Sequence, residues 1–375
     1  MATIPVGRDP GSVAVDPNNN RIYVVNRLDN SISVIDGLTN TEIDTDNDAG
    51  NGVTRLSFGG AWAVAVNPTT NRIYATGGSI TLRVIDGASY STVADVSIVS
   101  GLAPGSLAVN PATNRIYVTT GNGAIVVVDG LSDQVIANVA VGGGTYGGLA
   151  VDPIRNRAYR GSGSNVFVMD GATNTPIDTD GSPANGITPI TVPVLSDIGG
   201  IAVNQDINRL YVALGQNGNI AVIDGSTYTV SQILSSGGNP VDVAVDKANE
   251  KIYIARKSGN QVVAVEASTN TSVGGMVTGA TPQAVAANEG SNRVYVANAG
   301  STTLSVLNGT YLNHLPLQSS GFRRIDGTGP VDVHVRPGDY EDMRVFVKMP
   351  FAVPDGCADA SWNVSLVWTV RIHAS

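Results

Sequence analysis

The chain consists of short apolar segments, rich in Val, Ile and Tyr, that alternate with clusters of Gly, Pro, Asn and Asp. No long stretch places its apolar residues at the spacing of an α-helix. Apolar segments of this length, bounded by turn-forming residues, are typical of β-strands joined by tight turns. The pattern therefore predicts an all-β protein.

One segment, VAVDPNNNRIYVV, begins at Val13 and recurs six more times along the chain. Each copy carries a tyrosine at the same position, and successive tyrosines are 51, 43, 42, 52, 42 and 42 residues apart. These tyrosines are Tyr23, Tyr74, Tyr117, Tyr159, Tyr211, Tyr253 and Tyr295. The chain therefore contains seven copies of a unit of about 42 residues, and two copies are lengthened by insertions.

Each copy contains four strand-like segments. In the first copy an apolar segment precedes Arg-Ile-Tyr-Val, and a third segment, Ile32–Asp36, ends at Asp-Gly. A fourth segment, such as Val135–Val141 in the third copy, leads into a Gly-rich link. A four-stranded repeat of this length is one blade of a β-propeller, whereas an α-solenoid needs helices and the rungs of a β-helix are shorter. We expect a seven-bladed β-propeller over residues 1–317.

The segments Ala-Val-(Asn/Asp)-Pro, Arg-Ile-Tyr-Val and Val-Ile-Asp-Gly resemble the YVTN β-propeller repeat of surface-layer and related extracytoplasmic proteins. The resemblance covers roughly residues 3–317. It implies a propeller fold and an extracellular or cell-surface location. Residues 318–375, which it does not cover, add a virion-associated location as an alternative. The resemblance does not identify a site, because the motif residues build the blade.

The first residues of the chain look like part of a blade. Thr3–Gly7 resembles the end of a fourth strand, although no blade precedes it. We therefore expect residues 3–7 to pair with the seventh blade and close the ring. His314–Leu317 is a second candidate for this position, so the two segments compete or lie side by side.

The two insertions match one another without gaps, over residues 43–54 and 177–188. Each contains an Asn-Gly pair, which favours tight turns with positive φ, so each is expected to lengthen an outer hairpin or loop. In the first insertion Asp44, Asp46 and Asp48 alternate like the first three ligands of an EF-hand calcium loop. The Gly and Glu that such a loop requires are missing, so a solvated turn is the main interpretation and bound Ca²⁺ a second one.

The repeat stops at about Gln318. Residues 318–375 contain three strand-like segments, at residues 331–335, 343–351 and 362–373. A module of this size is near the lower limit for an independent core, so it is expected to pack on the propeller, on another copy or on a partner protein. The candidate residues for attachment or oligomerisation are Phe346, Phe351, Trp362 and Trp368.

Composition excludes several classes of function. The net charge is −9 and no basic cluster is visible, which argues against binding to nucleic acid or to an anionic membrane. The single cysteine, Cys357, leaves no intrachain disulfide and no cysteine-rich metal site. The printed sequence shows neither a signal peptide nor an apolar run of membrane-spanning length, while export stays open.

Motifs for catalysis are missing from the sequence. The three histidines lie at or beyond the last blade, and there is no HExxH, GxSxG or CxxC motif. In a propeller, a ligand site would lie at the mouth of the channel, where the links into the innermost strands converge. The candidate residues there are Arg8, Asp9, Trp62, Tyr146, Asp197, Asp242 and Gln283, for which ordinary solvated loop residues are the alternative interpretation.

These observations favour a non-enzymatic binding or structural protein. The propeller would be a rigid platform, and residues 318–375 would fix it to a cell surface, an appendage or a virus particle through self-association or a protein partner. No cofactor is predicted other than the possible Ca²⁺. The alternative is a propeller enzyme of the lyase, lactonase or quinoprotein-like kind, with a metal or an acid–base pair built from Asp9, Asp197 or Asp242.

Overall fold

The computed structural model describes residues 2–46, 52–78, 80–98, 104–144, 147–182, 187–193, 198–309, 340–348 and 365–373. The chain divides into two compact units, Met1–Leu315 and Pro316–Ser375. Within the described residues, helical structure is confined to one 3₁₀ turn, Gly215–Asn217. None of the described helical structure is long and apolar enough to cross a membrane.

The first unit is a seven-bladed β-propeller, so the predicted fold class is confirmed. Its strands are β1 (Ala2–Pro5), β2 (Pro10–Asp16), β3 (Arg21–Asn26), β4 (Ser31–Asp36), β5 (Thr41–Glu42), β6 (Leu56–Ser57), β7 (Ala63–Asn67), β8 (Arg72–Thr76), β9 (Thr81–Asp86), β10 (Thr92–Ser97), β11 (Pro104–Asn110), β12 (Arg115–Thr120), β13 (Ala124–Asp129), β14 (Gln134–Ala140), β15 (Leu149–Asp152), β16 (Arg157–Ser162), β17 (Asn165–Asp170), β18 (Thr175–Ile177), β19 (Ile190–Thr191), β20 (Ile201–Asn204), β21 (Arg209–Ala213), β22 (Asn219–Asp224), β23 (Thr229–Ser235), β24 (Pro240–Asp246), β25 (Lys251–Arg256), β26 (Gln261–Glu266), β27 (Ser272–Val277), β28 (Pro282–Asn288), β29 (Arg293–Asn298) and β30 (Thr303–Asn308).

Each blade is an antiparallel sheet, and in blades 1 to 6 the strands follow one another in chain order from the inner to the outer edge. Blades 1 to 6 begin at β2, β7, β11, β15, β20 and β24, and blade 7 consists of β28, β29, β30 and β1. The first strands contact one another in the order β2, β7, β11, β15, β20, β24 and β28, and β28 contacts β2 again. These strands therefore form the closed inner ring of the propeller.

The second strand of each blade forms the core. Its tyrosine is at most 1 % exposed in every blade, and it packs between the apolar faces of neighbouring sheets. The turn before this strand places an asparagine at a φ of about +50° in six blades, and Glu250 replaces it in blade 6. Asparagine tolerates this left-handed conformation better than most residues, which explains the recurring Asn-Arg pair.

The arginine after that asparagine often contacts the next blade. In blade 3, Arg115 Nη1 donates to the carbonyl of Gly171 in blade 4 at 2.7 Å. Across the closure, Arg293 donates to the carbonyl of Gly37 and, at 3.0 Å, to Asn40 Oδ1. The motif residues thus join blades, in addition to shaping the turn within each blade.

The first strand of the chain completes blade 7. β1 pairs antiparallel with β30, from Ala2 opposite Val306 to Pro5 opposite Thr303, and Val6 N donates to Thr302 O at 3.1 Å. Ile4 and Val6 are buried in a cluster that contains residues of blades 7 and 1. The competing segment, His314–Leu317, lies outside the described residues.

The two insertions interrupt the fourth strands of blades 1 and 4. β5 and β6 both pair with β4, and β18 and β19 both pair with β17. In both insertions an aspartate at the base, Asp44 or Asp178, accepts a hydrogen bond at 3.0 Å from the backbone of Thr54 or Thr188. In both blades the chain therefore leaves the outermost strand position, forms the insertion and returns to the same position. An equivalent hydrogen bond closes the base of each insertion.

The second unit contains a hairpin of two nine-residue strands, β31 (Tyr340–Lys348) and β32 (Ser365–His373). They pair within the chain, from Tyr340 opposite His373 to Lys348 opposite Ser365. Phe346 lies in β31 and Trp368 in β32, whereas Phe351, Trp362 and the predicted segment 331–335 lie outside the described residues.

Candidate ligand site at the channel mouth

The links into the innermost strands surround a cavity of about 370 Å³ at one end of the channel. All seven blades contribute to its lining. The position just before the repeated VAVD-like segment carries a small residue in six blades, whereas blade 6 has a carboxylate. These residues are Ser12, Ala63, Ser106, Gly148, Gly200, Asp242 and Ala284. Asp242 therefore gives the wall of the cavity an ionisable carboxyl group that the repeat does not require.

Asp242 is held between blades 5 and 7. Its Oδ2 accepts a hydrogen bond from Val285 N at 2.9 Å. A Cβ on Gly200 would lie 1.9 Å from Asp242 Oδ1, so the carboxylate fits only because residue 200 is glycine. Burial raises the pKa of Asp242 to about 7, against the opposing effect of backbone hydrogen bonds from Val285 and Val243. Near neutral pH this carboxyl exchanges a proton readily.

A stacked pair of side chains lies on the opposite side of the ring. The guanidinium carbon of Arg27 lies 4.3 Å from the centroid of the Trp62 ring, within the range of a cation–π interaction. Arg27 Nη2 also donates to Gly11 O at 3.0 Å, and burial lowers the pKa of Arg27. Trp62 is 43 % exposed, so the pair presents an aromatic surface to the cavity.

Three of the predicted site residues, Trp62, Asp242 and Gln283, line this cavity. Arg8 instead forms an ion pair with Asp29 at 2.6 Å, and 67 % of its side chain is exposed. Asp9 adopts a left-handed turn conformation with a φ of 53°. Tyr146 and Asp197 lie outside the described residues.

Arg27 was missing from the predicted site. It lies six residues after the arginine that begins the second strand of blade 1. The corresponding residues of the other blades are Gly78, Gly121, Gly163, Gly215, Lys257 and Ala299. Most of these are small, so a comparison of the blades at this position could have identified Arg27.

The predicted calcium ligands stay a prediction. Asp44 accepts the hydrogen bond from Thr54 N. Asp46 lies within the part of the chain that the structure describes, whereas Asp48 lies outside it. Within the described part of the chain, no three His, Cys, Asp or Glu residues are grouped closely enough to hold a metal ion.

Neither a protein-family model nor a curated protein matches the chain. Among solved structures, hydrazine synthase of Kuenenia stuttgartiensis is similar, with a TM-score of 0.65 and 16 % sequence identity. The similarity covers 80 % of this chain and 96 % of that chain. At this identity the similarity shows the fold alone, and the fold is a propeller.

Proposed function

We propose that the protein is a non-enzymatic binding or structural protein, in which a rigid propeller is attached to a larger assembly by residues 318–375. The observation that carries this proposal is the use of the repeated polar side chains. They connect each blade to its neighbours, while a separate unit contributes a long hairpin. The resemblance to the YVTN repeat supports a cell-surface or extracellular location, and a virus particle is an alternative assembly to which residues 318–375 would attach.

Polar contacts across blade borders support the platform role. Arg72 of blade 2 forms an ion pair with Asp133 of blade 3 at 2.9 Å. Amide groups on the same turns also connect neighbouring blades, and the bond from Asn288 to Asn20, at 3.0 Å, joins blade 7 to blade 1. Because these side chains connect neighbouring blades, they stiffen the ring.

The hairpin of the second unit supports the attachment role. Its register places Met343, Val345 and Val347 opposite Val370, Trp368 and Leu366, so apolar residues are paired with apolar residues in the part of the hairpin nearer Lys348. An isolated two-stranded hairpin is marginally stable in water and needs further strands or another surface to pack against. A second copy of the chain or a partner protein would supply that surface.

Sedimentation equilibrium on the full chain and on residues 1–315 tests the attachment role. We expect the full chain to self-associate and the propeller fragment to be monomeric. Trp368→Ser in the full chain should weaken association, whereas Trp62→Ser, which removes a tryptophan from the channel mouth, should not. If the full chain is monomeric and also retains no protein partner in its native assembly, the attachment role is wrong.

A second candidate function is catalysis at the channel mouth. The specific observation in its favour is Asp242, whose pKa near 7 in a cavity suits a general acid or base. A lyase, lactonase or quinoprotein-like reaction would use this carboxyl, with Asp9 or Asp197 as the other acidic candidates. Metal analysis and a hydrolase and lyase screen test this alternative, and any activity found should be lost in Asp242→Asn.

A further inference from the structure

A groove of about 540 Å³ lies between the outer strands of blades 5 and 6. One wall is β23, and the other is formed by β26 and β27. Its lining combines amide and hydroxyl side chains with apolar residues, and Arg256 is the charged residue among the described residues of the lining. The volume is in the range of small-ligand sites.

The groove is open because the fourth strand of blade 6 has no side chain at residue 275, which is paired with Val263 on the face that lines the groove. Gly274 and Gly275 occupy the positions of Ala137 and Asn138 in blade 3, as the pairing with the third strand shows. A Cβ on Gly275 would approach no atom closer than 3.6 Å, and the third-nearest atom would be Gln261 Oε1 at 3.8 Å. Packing therefore does not require glycine at residue 275, and the missing side chain leaves room in front of the Gln261 amide.

Arg256 differs from every other arginine described between residues 8 and 293. Each of those donates to a carboxylate or a carbonyl, whereas the guanidinium of Arg256 has no hydrogen bond or ion pair with any described residue. Its Nε is buried against the blade 5–6 link, where a Cβ on Gly238 would lie 2.7 Å away. The other two guanidinium nitrogens of Arg256 are not buried, so they can donate to an acceptor that is bound in the groove.

The chemistry around Arg256 points to one class of ligand. A single guanidinium fork matches a single carboxylate, and the described lining contains no acidic side chain that would repel it. Amides such as Gln232 and Gln261 both donate and accept, as hydroxyl groups require. Val263 and Val265 offer apolar surface at the base of the groove. The Asn270 amide donates to Gln232 Oε1 at 2.8 Å and so fixes the orientation of the Gln232 amide.

We propose that the groove between blades 5 and 6 binds an acidic saccharide. Arg256 holds the carboxylate, Gln232 and Gln261 bind the ring hydroxyls, and Asn270 orients Gln232. The site adds a ligand to the binding role proposed above, but it does not depend on residues 318–375.

Isothermal titration of the full chain with digalacturonate tests the proposal. Its methyl ester keeps the sugar and removes the charge, sodium acetate keeps the carboxylate alone, and hexaglutamate presents carboxylates on a peptide. We expect saturable binding of digalacturonate, binding at least tenfold weaker for the ester, and still weaker binding of acetate and hexaglutamate.

Two variants locate the site. Arg256→Gln should weaken binding about tenfold to a hundredfold, and Gly275→Leu should block it. The matched controls are Arg83→Gln, which removes the same charge from blade 2, and Asn138→Leu, at the corresponding position of blade 3. Both controls should bind like the natural chain, and thermal unfolding checks that all four variants fold.

Absence of digalacturonate binding overturns the proposal, as does equal binding of acetate, which would show a bare anion site. Tighter binding of hexaglutamate would replace the saccharide by an acidic peptide. Unchanged binding in both Arg256→Gln and Gly275→Leu would place the saccharide elsewhere on the molecule. Each of these results can be obtained whether or not the second unit associates.

Discussion

Ile4 in the first strand should contribute strongly to the stability of the whole propeller, although it is only the fourth residue of the sequence. Its side chain is 4 % exposed and packs in a cluster with Ile22 and Val24 of blade 1 and Leu304 of blade 7. The strand that carries it is paired with β30. Ile4→Ala therefore removes apolar contacts on both sides of the border where the ring closes.

The expected cost follows from burial. Replacing a buried isoleucine by alanine costs about 2–5 kcal/mol, depending on how far the surroundings collapse into the space. Ile4 lies in the outermost strand of its blade, where the neighbours can adjust, so we expect about 2–3 kcal/mol. Thr3→Ala is the matched control, because Thr3 is exposed in the same strand and should change the free energy of unfolding by less than about 0.5 kcal/mol.

Equilibrium unfolding in urea, followed by far-ultraviolet circular dichroism, measures both variants. The midpoint of Ile4→Ala should fall while its m-value stays that of the natural chain, since the change affects stability and leaves the exposed surface similar. If Ile4→Ala is as stable as Thr3→Ala, the first strand does not pack as described. The segment His314–Leu317 would then be the better candidate for the fourth strand of blade 7.

Three further predictions concern single side chains. Because the pKa of Asp242 is raised to about 7, the folded state holds a proton that the unfolded chain has released above about pH 4, so stability should fall as the pH rises from about 4 to 7. In urea titrations the free energy of unfolding of the natural chain, relative to that of Asp242→Asn, should fall by up to about 1.4 kcal/mol per pH unit. If the two proteins show the same dependence of stability on pH, this prediction is wrong. A double-mutant cycle of Arg27→Met and Trp62→Leu should give a coupling of about 0.5–2 kcal/mol, and a coupling of zero would show that the 4.3 Å stack is not maintained in solution. Tyr211→Phe should lower the free energy of unfolding by about 1 kcal/mol, because the Tyr211 hydroxyl donates to Ala267 O at 3.3 Å. Tyr23→Phe should leave that free energy almost unchanged, because the Tyr23 hydroxyl has no partner among the described residues. Equal losses in the two variants would refute this difference.

The blade count and the strand order could be predicted from the sequence because the fold repeats. Each copy buries a tyrosine at the same position, and six of the seven copies turn at an Asn-Arg pair, so the same structural signal occurs repeatedly along the chain. The split of the fourth strand in blades 1 and 4 could not be predicted, since the pairing of two-residue segments such as β6 depends on the neighbouring strand β4 and not on the local sequence.

The channel mouth was predicted in part. Trp62, Asp242 and Gln283 precede or begin inner strands, so the topology alone places them near the axis. Arg27 follows a second strand and reaches the cavity through its long side chain, which strand position does not reveal. The groove beside Arg256 was not predicted, because it depends on the side chain that Gly275 lacks and on an arginine without a partner among the described residues.

The most direct test of the closed ring is a disulfide between residues 302 positions apart. Thr3 and Ser305 are opposite each other in the pairing of β1 with β30, and directly opposed strand residues lie at a Cα separation that a disulfide can span. We propose to introduce Thr3→Cys and Ser305→Cys in a chain that also carries Cys357→Ser, and to measure free thiols and linked peptides by mass spectrometry after mild oxidation. The closed propeller predicts near-complete formation of this one crosslink within a single chain. Free thiols at both positions in the folded chain would contradict it.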